Sequence, residues 1–114
     1  MVLQNMTNVN SDDKFQGFGD DPNLTHLRVG TDPQILEILT DPYVIYRSNR
    51  YAPVVKIKEV ESNKEYILYI SSTSLAQQLE DIRTFDGDGS LIGIKVAVNK
   101  DSDDRFAKYE VSVE

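Results

Sequence analysis

APVVKIKEVESNKEYILYISSTSLAQQLEDI, residues 52–82, decides the fold. Its first nine residues alternate: Val55 and Ile57 face one way, Lys56 and Lys58 the other, as on a half-buried strand. Glu61-Ser62-Asn63-Lys64 has the composition of a hairpin turn. Glu65 to Ile70 then sets Tyr66, Leu68 and Ile70 on one face and Ile67 with Tyr69 on the other, which suits a strand buried on both sides. Ser71-Ser72-Thr73-Ser74 supplies N-cap residues, with Ser74 and Gln77 at capping-box spacing. Leu75, Leu79 and Ile82 recur at i, i+4 and i+7, so a short helix ending near Arg83 follows.

Working outward, residues 34–47 read as one long bent strand closed by the polar turn Arg47-Ser48-Asn49-Arg50, although Ile35-Leu36 and Ile38-Leu39 also fit one helical turn. Asp32-Pro33 and Asp41-Pro42 punctuate it, because the residue before proline is pushed toward extended geometry. Downstream, Asp86-Gly87-Asp88-Gly89 breaks the chain. Leu91 to Val98 is a fourth strand with Ile92, Ile94, Val96 and Val98 inward. Asn99 to Arg105 is a polar loop, and Phe106 to Val113 a fifth strand. Three strands, a helix and two strands is the wiring of a five-stranded OB barrel, mainly β, with one short helix between strands 3 and 4. Residues 1–25 lack any period of 2 or 3.6 and read as a flexible acidic arm, whose large apolar residues are Phe15 and Phe18. Residues 26–114 form the OB-like domain.

The 114 residues fit one domain, and the absence of cysteine removes disulfides, thiolate metal sites and thiol catalysis. No apolar run spans a bilayer, so no membrane partner is expected. The N-terminus has neither the basic nor the apolar region of a signal peptide, which points to the cytoplasm.

Net charge is −7 but unevenly placed. Residues 1–42 hold seven acids and two bases, and residues 71–114 nine acids and five bases. Residues 43–70 hold three acids and five bases, a local +2 on the first three strands.

His26 is the sole histidine, so no His-based dyad, triad or multi-histidine metal site can form around it. No acid lies in an apolar run that would raise its pKa, and no glycine-rich loop precedes a helix. Asp86-Gly87-Asp88-Gly89-Ser90 fails as a calcium loop, since Leu91 and Ala97 occupy the positions that need Gly and Glu. The chain therefore reads as non-catalytic, with no cofactor.

The remaining constellation is Tyr43, Tyr46, Arg47, Arg50, Tyr51, Lys56, Lys58 and Tyr69. Rings interleaved with cations suit single-strand binding, because bases stack on rings while Lys and Arg follow phosphates. Arg47, Arg50, Tyr51, Lys56, Lys58 and Tyr69 are the expected nucleic-acid-binding residues. Lys100 and Arg105 lie on a neighbouring loop.

Leu27 to Pro42, a glycine and polar step opening a long first strand that ends near a proline, resembles the start of OB-fold domains in phage-type single-stranded-DNA-binding proteins. Ser74-Leu75-Ala76-Gln77-Gln78-Leu79 followed by Leu91-Ile92-Gly93-Ile94-Lys95-Val96 is similar to their helix and fourth strand. Bacterial single-strand binders carry an acidic C-terminal tail, whereas here the acidity sits at the N-terminus. The resemblance implies a small, phage-encoded, single-stranded-nucleic-acid-binding protein, with DNA favoured. Under this reading the acidic arm folds over the basic patch and competes with nucleic acid. The alternative that net charge favours is an acidic protein-interaction module or a DNA mimic that binds a protein partner; a structural virion component is a third. The last strand is an edge through which the chain could form a homodimer.

Overall fold

A computed structural model describes residue 21, residues 23–104 and residues 107–114. The strands are β1 (Gln34–Ile38), β2 (Tyr43–Arg47), β3 (Arg50–Glu59), β4 (Lys64–Tyr69), β5 (Lys95–Lys100) and β6 (Tyr109–Val113). One helix, α1 (Thr73–Phe85), lies between β4 and β5. The six strands form a single antiparallel sheet in the order β2-β3-β1-β5-β6, with β4 on the opposite edge of β3.

The expected long first strand is two strands on the same edge of β3. Tyr43–Arg47 pairs with its first half and Leu36–Ile38 with Ile57–Glu59. The break has a local cause. Leu39 N–H still donates to the Lys56 carbonyl at 2.8 Å, but Thr40 then offers its Oγ1 to Lys56 N–H at 3.0 Å. Asp41 turns its carboxylate to Leu91 N–H at 2.7 Å and Ser90 Oγ at 2.9 Å, and Pro42 has no N–H to give.

The fourth strand also starts later than its alternation suggests, at Lys95 rather than Leu91. Gly93 has φ +87°, a left-handed turn that glycine supplies, and Ile92 is 60% exposed rather than inward. At the end of α1, Gly87 is required by close approach: a Cβ there would lie 1.9 Å from the Ser90 carbonyl oxygen. The helix cap is Ser72, whose Oγ accepts from Leu75 N–H at 3.1 Å, not Ser74. Arg105 and Phe106 lie outside the described residues, and β6 begins at Tyr109.

The sheet has a core on each face. The main cluster joins Leu36, Ile38, Val55, Ile57, Leu68, Val96 and Val98 to the stripe Leu75, Leu79 and Ile82 of α1. A smaller one joins Ile45, Val54 and Ile67, with Leu24, Tyr43 and Tyr69 packed on it. β4 is therefore buried on both sides, Ile67 in one cluster and Leu68 in the other.

The expected barrel is not closed: β4 and β6 do not pair with each other. Both edges that would meet are already engaged. Chain at Thr25–Leu27 lies parallel to β4, with Leu27 N–H donating to the Ile67 carbonyl at 2.8 Å and Ile67 N–H to the Thr25 carbonyl at 3.0 Å. Along β6, the Gln78 side chain of α1 donates to the Tyr109 carbonyl and accepts from Val111 N–H, each at 2.9 Å. A helix side chain stands where a strand would have paired.

Candidate functional site

The site is built by the β2–β3 hairpin outrunning β4. A two-residue turn, Ser48-Asn49, joins the strands with both residues at positive φ (53° and 64°), the geometry that matches right-handed strand twist. It sets Arg47 directly opposite Arg50 and Tyr46 opposite Tyr51. The two tyrosine rings lie 4.8 Å apart at 56°. β4 pairs with β3 only from Val54 onward, and Ile70 N–H reaches the Pro53 carbonyl at 2.9 Å. The tip of β3, residues 50–53, therefore overhangs the end of β4.

Under that overhang, at the unclosed seam, is an open groove of about 530 Å³. Arg47, Arg50 and Tyr51 form its end, Tyr69 and His26 one wall, and Tyr109 of β6 the other. The His26 and Tyr69 rings meet at 5.6 Å and 57°. Lys100 Nζ lies 5.6 Å from the centre of the Tyr109 ring, a cation on the outer strand beside the groove. Among the described residues none that lines the groove is acidic, although the chain carries 19 Asp and Glu.

Four of the six expected residues, Arg47, Arg50, Tyr51 and Tyr69, thus meet around one groove. Lys56 and Lys58 do not line it. They lie further along β3, on the face shared with Arg50 by strand alternation. Lys58 Nζ is 3.6 Å from Glu37 Oε1, and Glu65 of β4 stands across from Lys58 on the other side. Its charge is largely answered within the sheet.

His26 and Tyr109 are lining residues that sequence reading does not find. Each looks unremarkable locally, one an isolated ring before β1, the other an inward position of the last strand. Only the parallel bridge to Ile67 and the β5–β6 pairing bring them to opposite walls. A second recess of about 510 Å³, on the other side of His26 and Leu27, differs in character because Glu59 lines it. That carboxyl is held below its ordinary range by hydrogen bonds from Ser62 and Gln34, with the Lys64 charge adding to the effect.

No family model, curated protein or solved structure matches the chain. Among the described residues no helix is long and apolar enough to cross a membrane.

Proposed function

We propose that this chain is a non-catalytic, OB-like protein that binds single-stranded nucleic acid, DNA favoured, in the groove at its open seam. The observation that carries the reading is the lining: among the described residues, two arginines, three tyrosines and a histidine with no carboxylate, in a chain of net charge −7. Arg47 and Arg50 hold phosphates; Tyr51 and Tyr69 stack bases, with Tyr109 and His26 as the facing surfaces. Lys56 meets phosphate outside the groove, and Lys58 does so only by exchanging Glu37. Counting β1 and β2 as one interrupted strand, the sheet runs 3-2-1-4-5, which is an OB order with its last pair left open. OB folds bind along the second and third strands and the loops beside them, where this groove lies.

The test is fluorescence anisotropy with a labelled single strand of about 20 nucleotides, long enough to fill one OB site. Binding should weaken with salt, and Arg50→Glu should flatten the log–log slope by about 0.7 for each phosphate that the variant no longer neutralises. Tyr51→Ala should cost about 1–3 kcal/mol if a base stacks there. Absence of binding at low salt overturns the proposal. A protein partner is the second reading, favoured by Val44, 56% exposed, standing across from the exposed Pro53 on the hairpin. A Val44→Glu variant that keeps nucleic-acid affinity while losing a captured protein would separate the two activities.

A further inference from the structure

The groove continues past the hairpin overhang. Pro53, Ile70 and Ser71 line it, and the same residues line a second open recess of about 590 Å³. Pro53 stands about 10 Å along β3 from Arg50 at the usual strand rise, so the recess lies beyond the groove from the Arg50 tip. The interruption between β1 and β2 builds it. Asp41, by accepting from Leu91 N–H and Ser90 Oγ, brings Leu91 beside Pro42, and α1 closes the far side with Ala76 and Leu79. Leu79 and Leu91 are buried and form the floor, while Ala76 is exposed. The junction with the groove is fixed, because Ile70 N–H donates to the Pro53 carbonyl at 2.9 Å.

The two cavities differ in chemistry as the parts of a nucleotide do. Among the described residues lining the recess the cation is Arg83, and it is engaged: its Nε donates to Glu80 Oε1 and its Nη1 to the Gly89 carbonyl, each at 3.0 Å. The same pair answers Glu80, so the recess presents a phosphate with no unpaired charge of either sign. What remains is apolar surface rimmed by the exposed Ser71 and Thr73. A mostly apolar cleft of about 300–1,000 Å³ with a few polar groups is the ordinary form of a small-molecule site. A base, uncharged, with apolar faces and polar edges, suits that lining; a phosphate does not. The recess on the other side of His26 is the poorer continuation. Its Glu59 carboxylate is held by the neutral donors Ser62 and Gln34, and among the described residues Arg28 lines that recess without bridging it. Resting on the reading of the groove given above, we propose that the recess between Pro53 and α1 is a second subsite on the same path, which takes an unstacked base of the strand whose phosphates lie on Arg47 and Arg50.

The test titrates the full chain with thymidine strands of about 4 and about 12 nucleotides, the span of site sizes for one OB fold. Methyl resonances of Ala76, Leu79 and Leu91 and ring resonances of Tyr51 and Tyr69 are followed by NMR. The longer strand should shift both sets. Shifts confined to the tyrosines overturn the recess and leave the groove standing, whereas no shift in either set refutes the groove reading and its continuation together. Ala76→Glu, which puts a carboxylate into the recess from an exposed helix position, should weaken the longer strand about tenfold, the order expected for one lost base contact. Gln77→Glu adds the same charge at the next helix position, outside the recess, and should bind as the unaltered protein does. Equal affinities of the two variants for the longer strand overturn the proposal. A 12-mer with abasic sites outside a block of four thymidines should bind no more tightly than the 4-mer; if it binds as the full 12-mer does, phosphates supply the gain and the base assignment is overturned.

Discussion

Gln78 should behave as a structural residue although it lies on a half-exposed face of α1. Tyr109, Val111 and Val113 turn their backbone groups away from β5, as the Glu114 N–H to Lys95 carbonyl bond at 2.9 Å requires. That outer edge is met by one side chain: Gln78 Nε2 donates to the Tyr109 carbonyl and Gln78 Oε1 accepts from Val111 N–H. Gln78→Ala removes both bonds. Each is worth about 0.5–1.5 kcal/mol net, and the site is only partly buried, so water recovers some of the loss. Alanine's better helix propensity returns a few tenths. The expected cost is about 1–2 kcal/mol, or a Tm drop on the order of 5–10 °C for a domain of this size. Gln77→Ala is the control, since exposed Gln77 bonds to Asp81 Oδ1 at 2.9 Å, within the helix. Thermal and chemical denaturation measure the cost, and amide exchange at Val111 localises it. Gln78→Glu sharpens the test: its carboxylate can accept from Val111 but repels the Tyr109 carbonyl, and protonation at acid pH restores the donor. Equal stability of Gln78→Ala and Gln77→Ala, with Val111 exchange unchanged, would refute the reasoning.

Three further outcomes follow from the same geometry. Ser72→Ala should cost about 1 kcal/mol by removing the helix cap, and Ser74→Ala much less; denaturation of the pair assigns the cap. Ile67→Ala should cost about 2–5 kcal/mol because it empties the smaller core, whereas Ile92→Ala at a 60% exposed position should be nearly neutral in the same assay. Glu59 has a depressed folded-state pKa, so its contribution is present above the unfolded-state value of about 4.3 and disappears as pH falls through the lower folded value. Ser62→Ala removes the leading cause of that depression, and a stability–pH profile should lose part of its acid limb; an unchanged profile would refute the assignment.

What was legible in the sequence was whatever depended on near neighbours. The alternation of residues 55–58 put Val55 and Ile57 in the main core and left Lys56 and Lys58 on the other face. Two-sided burial of β4 followed from Ile67 and Leu68 both being large and apolar, and the α1 stripe followed from its spacing. Departures arose where a distant group competed for a backbone. Residues 34–47 carry a strand's apolar content, but Asp41 is spent on Ser90 and Leu91, some 50 residues away. Ile92 continues an alternation that the left-handed turn at Gly93 interrupts. The open seam depends on Gln78 and on Thr25–Leu27 reaching edges that strand periodicity alone leaves for each other. The charge sum over residues 43–70 overcounts the unanswered cations there, because Glu37, outside that window, answers Lys58.

That overcount bears on how an acidic protein presents a cationic groove at all. A field in physiological salt fades within about 8 Å, so a phosphate in the groove responds to Arg47 and Arg50 far more than to acids on distant loops. The exposed acids at Asp101, Asp103 and Asp104 and at Glu80 and Asp81 line no part of it. Lowering the salt lengthens that range to about 30 Å at 0.01 M and brings those acids into play against the ligand. On the proposed reading, sign and distance thus divide the labour: the lining would set affinity near physiological salt, while the net charge would limit how much further affinity rises as salt is removed.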